Sequence, residues 1–167
     1  MEKPFVIINS AMSADGKISS FERRQVRISG QGDMDRVKLL RARSDAVMVG
    51  VGTVLADDPG LRVKSSELRR MRSERGLSED PLRVVVDSRA RTPLDAEVLG
   101  EGCILAVSRE APEERLAPLR KKCEIVVAGE EKVDLAELMT ILKKKGVERL
   151  MVEGGATLNW SLVEAGL

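Results

Sequence analysis

DAVMVGVGTVLADDP, residues 45–59, reads as a buried strand (Ala46–Val49), a glycine turn at Gly50 and Gly52, a short helical turn, and a stop at Pro59. An apolar run of this length bounded by glycine fits a strand covered on both faces. In a parallel sheet such a strand delivers its next loop to the C-terminal edge, where open α/β folds hold their ligands. Thr53 and Asp57 are four apart, so a helical turn sets a hydroxyl and a carboxylate on one face, beside exposed glycine backbone. That pairing suits a polyhydroxyl ligand such as a nucleotide ribose. The stretch is not a dinucleotide fingerprint, because Leu55 stands where G-x-G-x-x-G needs its third glycine. Glycines that serve packing alone are the plainer reading.

Upstream, Phe5–Asn9 reads as the first strand, and Asp15-Gly16 marks a turn beyond it. Residues Phe21–Ile28 are polar and fit at most a short strand. Gly32–Arg43 reads as a helix, with Asp33 and Asp35 early and Lys38, Arg41 and Arg43 late, an order that suits the helix dipole. Its apolar ridge runs Met34, Val37 and then Arg41. Either Arg41 snorkels out at the helix end, or its guanidinium binds a phosphate or carboxylate at the edge of a site.

Downstream, Leu61–Val63 suggests a short strand, followed by a basic run from Arg62 to Arg75. The simpler reading of that run is a solvated loop or surface helix; the other is a rim that steers a phosphorylated substrate. Leu82–Val86 is a β-branched strand leading into Asp87-Ser88-Arg89-Ala90-Arg91, an ordinary turn or a place for a nucleotide phosphate. Cys103–Val107 and Glu124–Ala128 read as strands. Between them a helix starts at Pro112 and is disturbed by Pro118. Asp134–Lys145 is the clearest helix, with Asp134 and Glu137 as a capping pair. Arg149–Glu153 is the last strand. Gly154-Gly155 then opens a helix from about Thr157 to Ala165, and a strand running into glycines and a helix N-terminus is a ready anion site. Glu153 at the strand end would repel a phosphate, so it faces hydrogen-bond donors of another ligand or pairs with an arginine. The alternation of strands and helices reads as α/β with a mostly parallel sheet and flanking helices.

Composition narrows the chemistry. A chain of 167 residues, 43% hydrophobic and 33% charged, is long enough for one globular domain. The net charge of +1 gives no field for nucleic acid, and three aromatic residues (Phe5, Phe21, Trp160) build no base-stacking platform. No stretch approaches the roughly 20 apolar residues of a membrane span. The N-terminus turns polar too soon for a signal peptide. A cytoplasmic protein is expected. Cys103 and Cys123 make neither a disulfide framework nor a metal pattern. With no histidine, zinc–histidine sites and Ser-His-Asp triads are excluded. Proton chemistry is left to carboxylates, lysine, thiol or water.

Four segments occur in order: MSADGKI (12–18), VGVGTVLADDPGL (49–61), VVVDSRARTP (84–93) and VEGGATLNW (152–160). Together they resemble the archaeal 2,5-diamino-6-ribosylamino-4(3H)-pyrimidinone 5′-phosphate reductases of riboflavin biosynthesis and the reductase half of the bacterial deaminase-reductases. The resemblance spans nearly the whole chain. It implies a dihydrofolate reductase-like fold, mixed sheet and helices, in a homodimer that uses NADPH, with NADH the other option. It implies reduction of the ribosylamino side chain of a phosphorylated pyrimidine to a ribitylamino one. By the resemblance, NADP contacts fall on Ala11, Thr53, Asp57, Ser88, Ala128, Gly154, Gly155, Ala156, Thr157, Leu158, Asn159, Trp160 and Ser161. Substrate contacts fall on Gln25, Arg41, Leu61, Lys64 and Glu153. With no histidine or tyrosine available, Asp57 and Glu153 are the expected catalytic pair, fixing the reacting ends while a carboxylate or bound water relays the proton. No metal is implied, and the zinc site of the deaminase half is missing, since this chain has no histidine. Residues 1–167 are expected to be a single reductase domain, without the further C-terminal strands of its relatives. The competing readings are a reductase of the same fold acting on another pterin or pyrimidine, and a non-catalytic nucleotide-binding module.

Overall fold

The strand read from Ala46 is the centre of the molecule. The computed structural model, which describes residues 2–18 and 28–167, places β2 at Ala46–Gly50 with Ala46, Val47, Met48 and Val49 wholly shielded from solvent. Its neighbours are β6 (Arg149–Val152) on one side and β3 (Leu82–Val86) on the other. With β1 (Phe5–Ile8), β4 (Cys103–Val107) and β5 (Glu124–Val127) they form one sheet in the order β1-β6-β2-β3-β4-β5. Every pairing among the described residues is parallel.

Alternate residues of β2 feed two cores. Val47 and Val49 face the layer of α1 (Gln31–Ala42), α2 (Val51–Asp57) and α4 (Glu113–Leu119). Ala46 and Met48 face α5 (Leu135–Lys144) and α6 (Ala156–Glu164). Burying each valine or methionine contributes about 1.5–3 kcal/mol. Covering both faces is why the strands read as unbroken apolar runs rather than alternating ones.

The topology sets where a ligand can bind. From β2 the chain steps outward through β3 and β4 to β5; α5 then returns it to β6, which fills the slot between β1 and β2. The order reverses there, and the C-terminal ends of β2 and β6 open a crevice between helices that lie on opposite faces.

Several expectations need correction. Met34 is not on a buried ridge; it is exposed, and α1 packs through Val37, Leu40 and Ala42 instead. Leu61–Val63 is not a strand. Leu61 takes a left-handed conformation (φ 52°), and the Val63 amide donates to Asp80 Oδ1 at 2.7 Å rather than to a ladder. The basic run does form a surface helix, α3 (Ser66–Glu74), but Arg72 within it is buried. Its guanidinium donates to the carbonyls of Ala42 (2.9 Å), Ser44 (2.7 Å) and Ser78 (2.7 Å), closing the C-terminus of α1. Pro118 sits inside α4, one residue before its end, and the helix runs through it to Leu119. Most of the Phe21–Ile28 segment lies outside the described residues.

Candidate active site

The parallel sheet sends the loops after β2, β3, β5 and β6 to one edge. Between β2 and β6 the hydrogen bonding continues into the turns: Glu153 N donates to Met48 O and Gly50 N to Gly154 O, each at 2.9 Å. Gly154 then takes φ +101°, a conformation open to glycine and costly to other residues. Gly155 follows as the N-cap of α6, and its amide donates to Thr53 Oγ1 at 3.0 Å. A Cβ on Gly155 would meet that hydroxyl at 3.2 Å. The first turn of α2 and the start of α6 therefore touch across the crevice, the Thr53 hydroxyl against the Gly155 backbone.

These two helices differ electrostatically from the others. Helices α1, α3, α4 and α5 carry Asp33, Glu67, Glu113 with Glu114, and Glu137 in their first turns. Helices α2 and α6 carry no acid there and have no side-chain cap. The α6 N-terminus thus keeps free amides and an unopposed positive dipole end. Asn159, on the first turns of α6 beside Gly154, has its Oδ1 buried with no hydrogen-bond partner among the described residues. Free donors with one stranded polar group fit an anionic, hydrogen-bonding ligand.

Arg41 and Glu153, 112 residues apart, meet at the edge of the crevice. Arg41 Nε and Nη2 donate to Glu153 Oε1 and Oε2 at 2.8 and 2.7 Å, and Nη1 donates to Arg62 O at 2.9 Å. Their side chains are only 19% and 16% exposed. The arginine on the apolar ridge of α1 is thus neither snorkelling nor free. The fork-to-carboxylate geometry is the strong bidentate kind. It also neutralises the carboxylate nearest the α6 N-terminus, which removes the repulsion that Glu153 alone would exert on a phosphate.

The other residues singled out in the sequence are dispersed along this edge. Asp57 is exposed, one turn after Thr53 on α2. Ser88 Oγ accepts from Val133 N at 3.0 Å, tying the loop after β3 to the one after β5. Ala128 is buried at the end of β5, and its carbonyl accepts from Asp134 N. Leu61 is buried, while Lys64 and Ala11 are exposed. Within α6, Ala156 and Thr157 are exposed, Ser161 is half-buried, Leu158 turns into the core and Trp160 faces outward. Gln25 lies outside the described residues.

Residues 4–167 match the model of the RibD C-terminal domain. The chain belongs to that family. A protein named 2,5-diamino-6-ribosylamino-4(3H)-pyrimidinone 5′-phosphate reductase from Archaeoglobus fulgidus is 54% identical, over 99% of this chain and 76% of its own length. The protein of the same name from Methanothermobacter thermautotrophicus is 48% identical, over 99% and 74%. Among solved structures, a pyrimidine reductase-like protein from Corynebacterium diphtheriae superposes with a TM-score of 0.85 at 18% identity, covering 98% of this chain and 70% of its own. That likeness speaks for the fold alone, which is the dihydrofolate reductase-like class expected above.

In this member of the RibD C-terminal family, some residues that shape the edge escaped the sequence reading. Asp87 is fully buried, and its Oδ2 accepts from Thr92 N (2.7 Å) and Thr92 Oγ1 (2.8 Å). This fixes the turn after β3 in which Ser88 sits. Asp58 takes a left-handed conformation (φ 41°) and accepts from Glu97 N at 2.8 Å, ending α2. The Asp-x4-Thr spacing at 87–92 was the one available signal for the first; aspartate's tolerance of positive φ was the signal for the second. The arginines of the same turn are engaged. Arg89 pairs with Glu110 at 2.7 Å, and Arg91 lies 3.9 Å from Asp87.

Proposed function

We propose that this chain reduces the ribosylamino side chain of 2,5-diamino-6-ribosylamino-4(3H)-pyrimidinone 5′-phosphate to the ribitylamino form in riboflavin biosynthesis, with NADPH as the reductant. The chain is an oxidoreductase, and its family implies a nicotinamide cofactor. The observation that carries the reading is the open N-terminus of α6, packed on Thr53 at the switch point of the sheet and flanked by the Arg41–Glu153 pair.

The residues present fit such a cofactor. Gly155, having no side chain, leaves the first amides of α6 approachable by a pyrophosphate. The Thr53 hydroxyl accepts from Gly155 and keeps its own proton to donate. Asp57 suits the ribose hydroxyls. Ala11, Ser88, Ala128, Gly154 and the Ala156–Ser161 segment complete the assignment. Substrate falls to Gln25, Arg41, Leu61, Lys64 and Glu153, with Lys64 as an exposed cation for its phosphate. When bound, the cofactor supplies a hydride to the ribose carbon of the opened, protonated imine.

The chain's own part is position and proton supply. Both oxygens of Glu153 already accept from Arg41, so Glu153 holds the guanidinium and orients the substrate end. Asp57 has the freer carboxylate and relays the proton, directly or through water. Loss of little turnover in Glu153→Gln across the pH range would remove Glu153 from this scheme. The chain works in the cytoplasm as a homodimer. Among the described residues no helix is long and apolar enough to cross a membrane.

The decisive experiment follows nicotinamide absorbance with NADPH and the ribosylamino-pyrimidine phosphate. Turnover is expected, with a lower rate on NADH. Tight NADPH binding without oxidation would overturn the substrate assignment and leave the cofactor site standing.

A further inference from the structure

At the opposite edge of the sheet, Cys103 opens β4 and Cys123 immediately precedes β5. The two strands pair with Ile104 opposite Glu124, so one step earlier the cysteines stand opposite each other. Both pack into the same core layer, under α4, and both thiols are free. Neighbouring strands run roughly 4.7–4.9 Å apart, within the roughly 4.4–6.8 Å Cα spacing that a disulfide spans. Cys103 is buried and Cys123 is half-buried, and both line an open cleft of about 360 Å³. Arg120, Lys121 and Lys122 line the same cleft together with Glu101 and Glu124. Cys123 Sγ donates to Leu119 O at 3.5 Å. The neighbouring Cys103 thiol holds Cys123 below the usual cysteine range against the opposing effect of burial, and Cys123, then burial, pushes Cys103 up.

We propose that Cys103 and Cys123 form a reversible dithiol–disulfide pair that is oxidised through this cleft by low-molecular-weight disulfides. The Cys123 thiolate attacks one sulfur of the small disulfide, making a mixed disulfide and releasing one thiolate, which takes up a proton. Cys103 gives its proton to solvent, its sulfur attacks Cys123 Sγ, and the second small thiolate leaves. The protein loses two hydrogens in forming one S–S bond, and the small disulfide is reduced to two thiols. The less buried cysteine attacks first and the buried one resolves. The bridge ties β4 to β5 across α4, at the edge of the sheet away from the candidate active site.

The test is incubation of the native full chain with oxidised glutathione, followed by alkylation under denaturing conditions and intact-mass measurement. The wild type is expected to lose both alkylatable thiols and about 2 Da, and to regain them with dithiothreitol. Cys103→Ser is expected to stop at one glutathione adduct, and Cys123→Ser to stay unmodified while folded. A wild-type chain that stops at a stable glutathione adduct, that keeps both thiols, or that forms the bridge only between two chains would overturn the proposal.

Discussion

Helices α5 and α6 pack on the same face of the sheet, yet their N-termini are built in opposite ways. At α5 the Asp134 carboxylate accepts from Glu137 N at 2.9 Å, and Glu137 reaches back to accept from Gly129 N at 2.8 Å. Charge and donors are satisfied internally, which stabilises the helix by about 1 kcal/mol. At α6 the cap is Gly155, no acid follows, and the one contact made by its amide is to a hydroxyl on another helix. The chain forgoes that stabilisation where two strand ends diverge. A helix end left open beside a neutralised ion pair is set up to receive charge from outside.

The largest expected effect comes from removing the neutralising partner. Arg41→Ala leaves Glu153 charged and mostly buried beside the α6 N-terminus, and should cost about 2–3 kcal/mol of stability. Turnover efficiency should fall about 100-fold or more. Denaturant unfolding and steady-state kinetics check both. The double variant Arg41→Ala, Glu153→Ala should recover most of the stability and the NADPH affinity but not the turnover. If it recovers turnover as well, the pair is structural only.

Next in size is Thr53→Val, which strips the acceptor from Gly155 N. It should cost about 1–2 kcal/mol of stability and weaken NADPH about 5–10-fold, read by melting and by titration. The smallest effect belongs to the closed helix. Asp134→Ala should cost about 1 kcal/mol in unfolding and leave NADPH affinity unchanged. A change in affinity there would blur the distinction between the two helix ends.

Much of the fold was legible in the sequence because the inner strands are buried on both faces and bounded by glycine or charge. Gly50, Gly146 and Gly154 punctuate it where the chain turns. The insertion of β6 between β1 and β2 was not legible, since nothing in RLMV distinguishes a central strand from its neighbours. The backbone half of the site could be read, because glycines before a helix have few uses. The side-chain half came only as alternatives: Arg41 and Glu153 each carried two readings, and only the fold shows that one answers the other. Arg72 left no trace, as a buried arginine inside a basic run looks like its exposed neighbours. The positive φ of Leu61 is likewise silent, because leucine does not advertise that conformation.

The central claim is that the α6 N-terminus binds the cofactor's phosphates. Thr157→Glu tests it most directly, since the residue is exposed and the change gives α6 the acid that α5 already has. NADPH affinity and thermal midpoint would be measured on the same samples. Affinity is expected to fall about 10–100-fold, with stability unchanged or raised by up to about 1 kcal/mol. Unchanged affinity in a protein stabilised to that extent would contradict the claim, because the helix end would then have been closed with no ligand displaced.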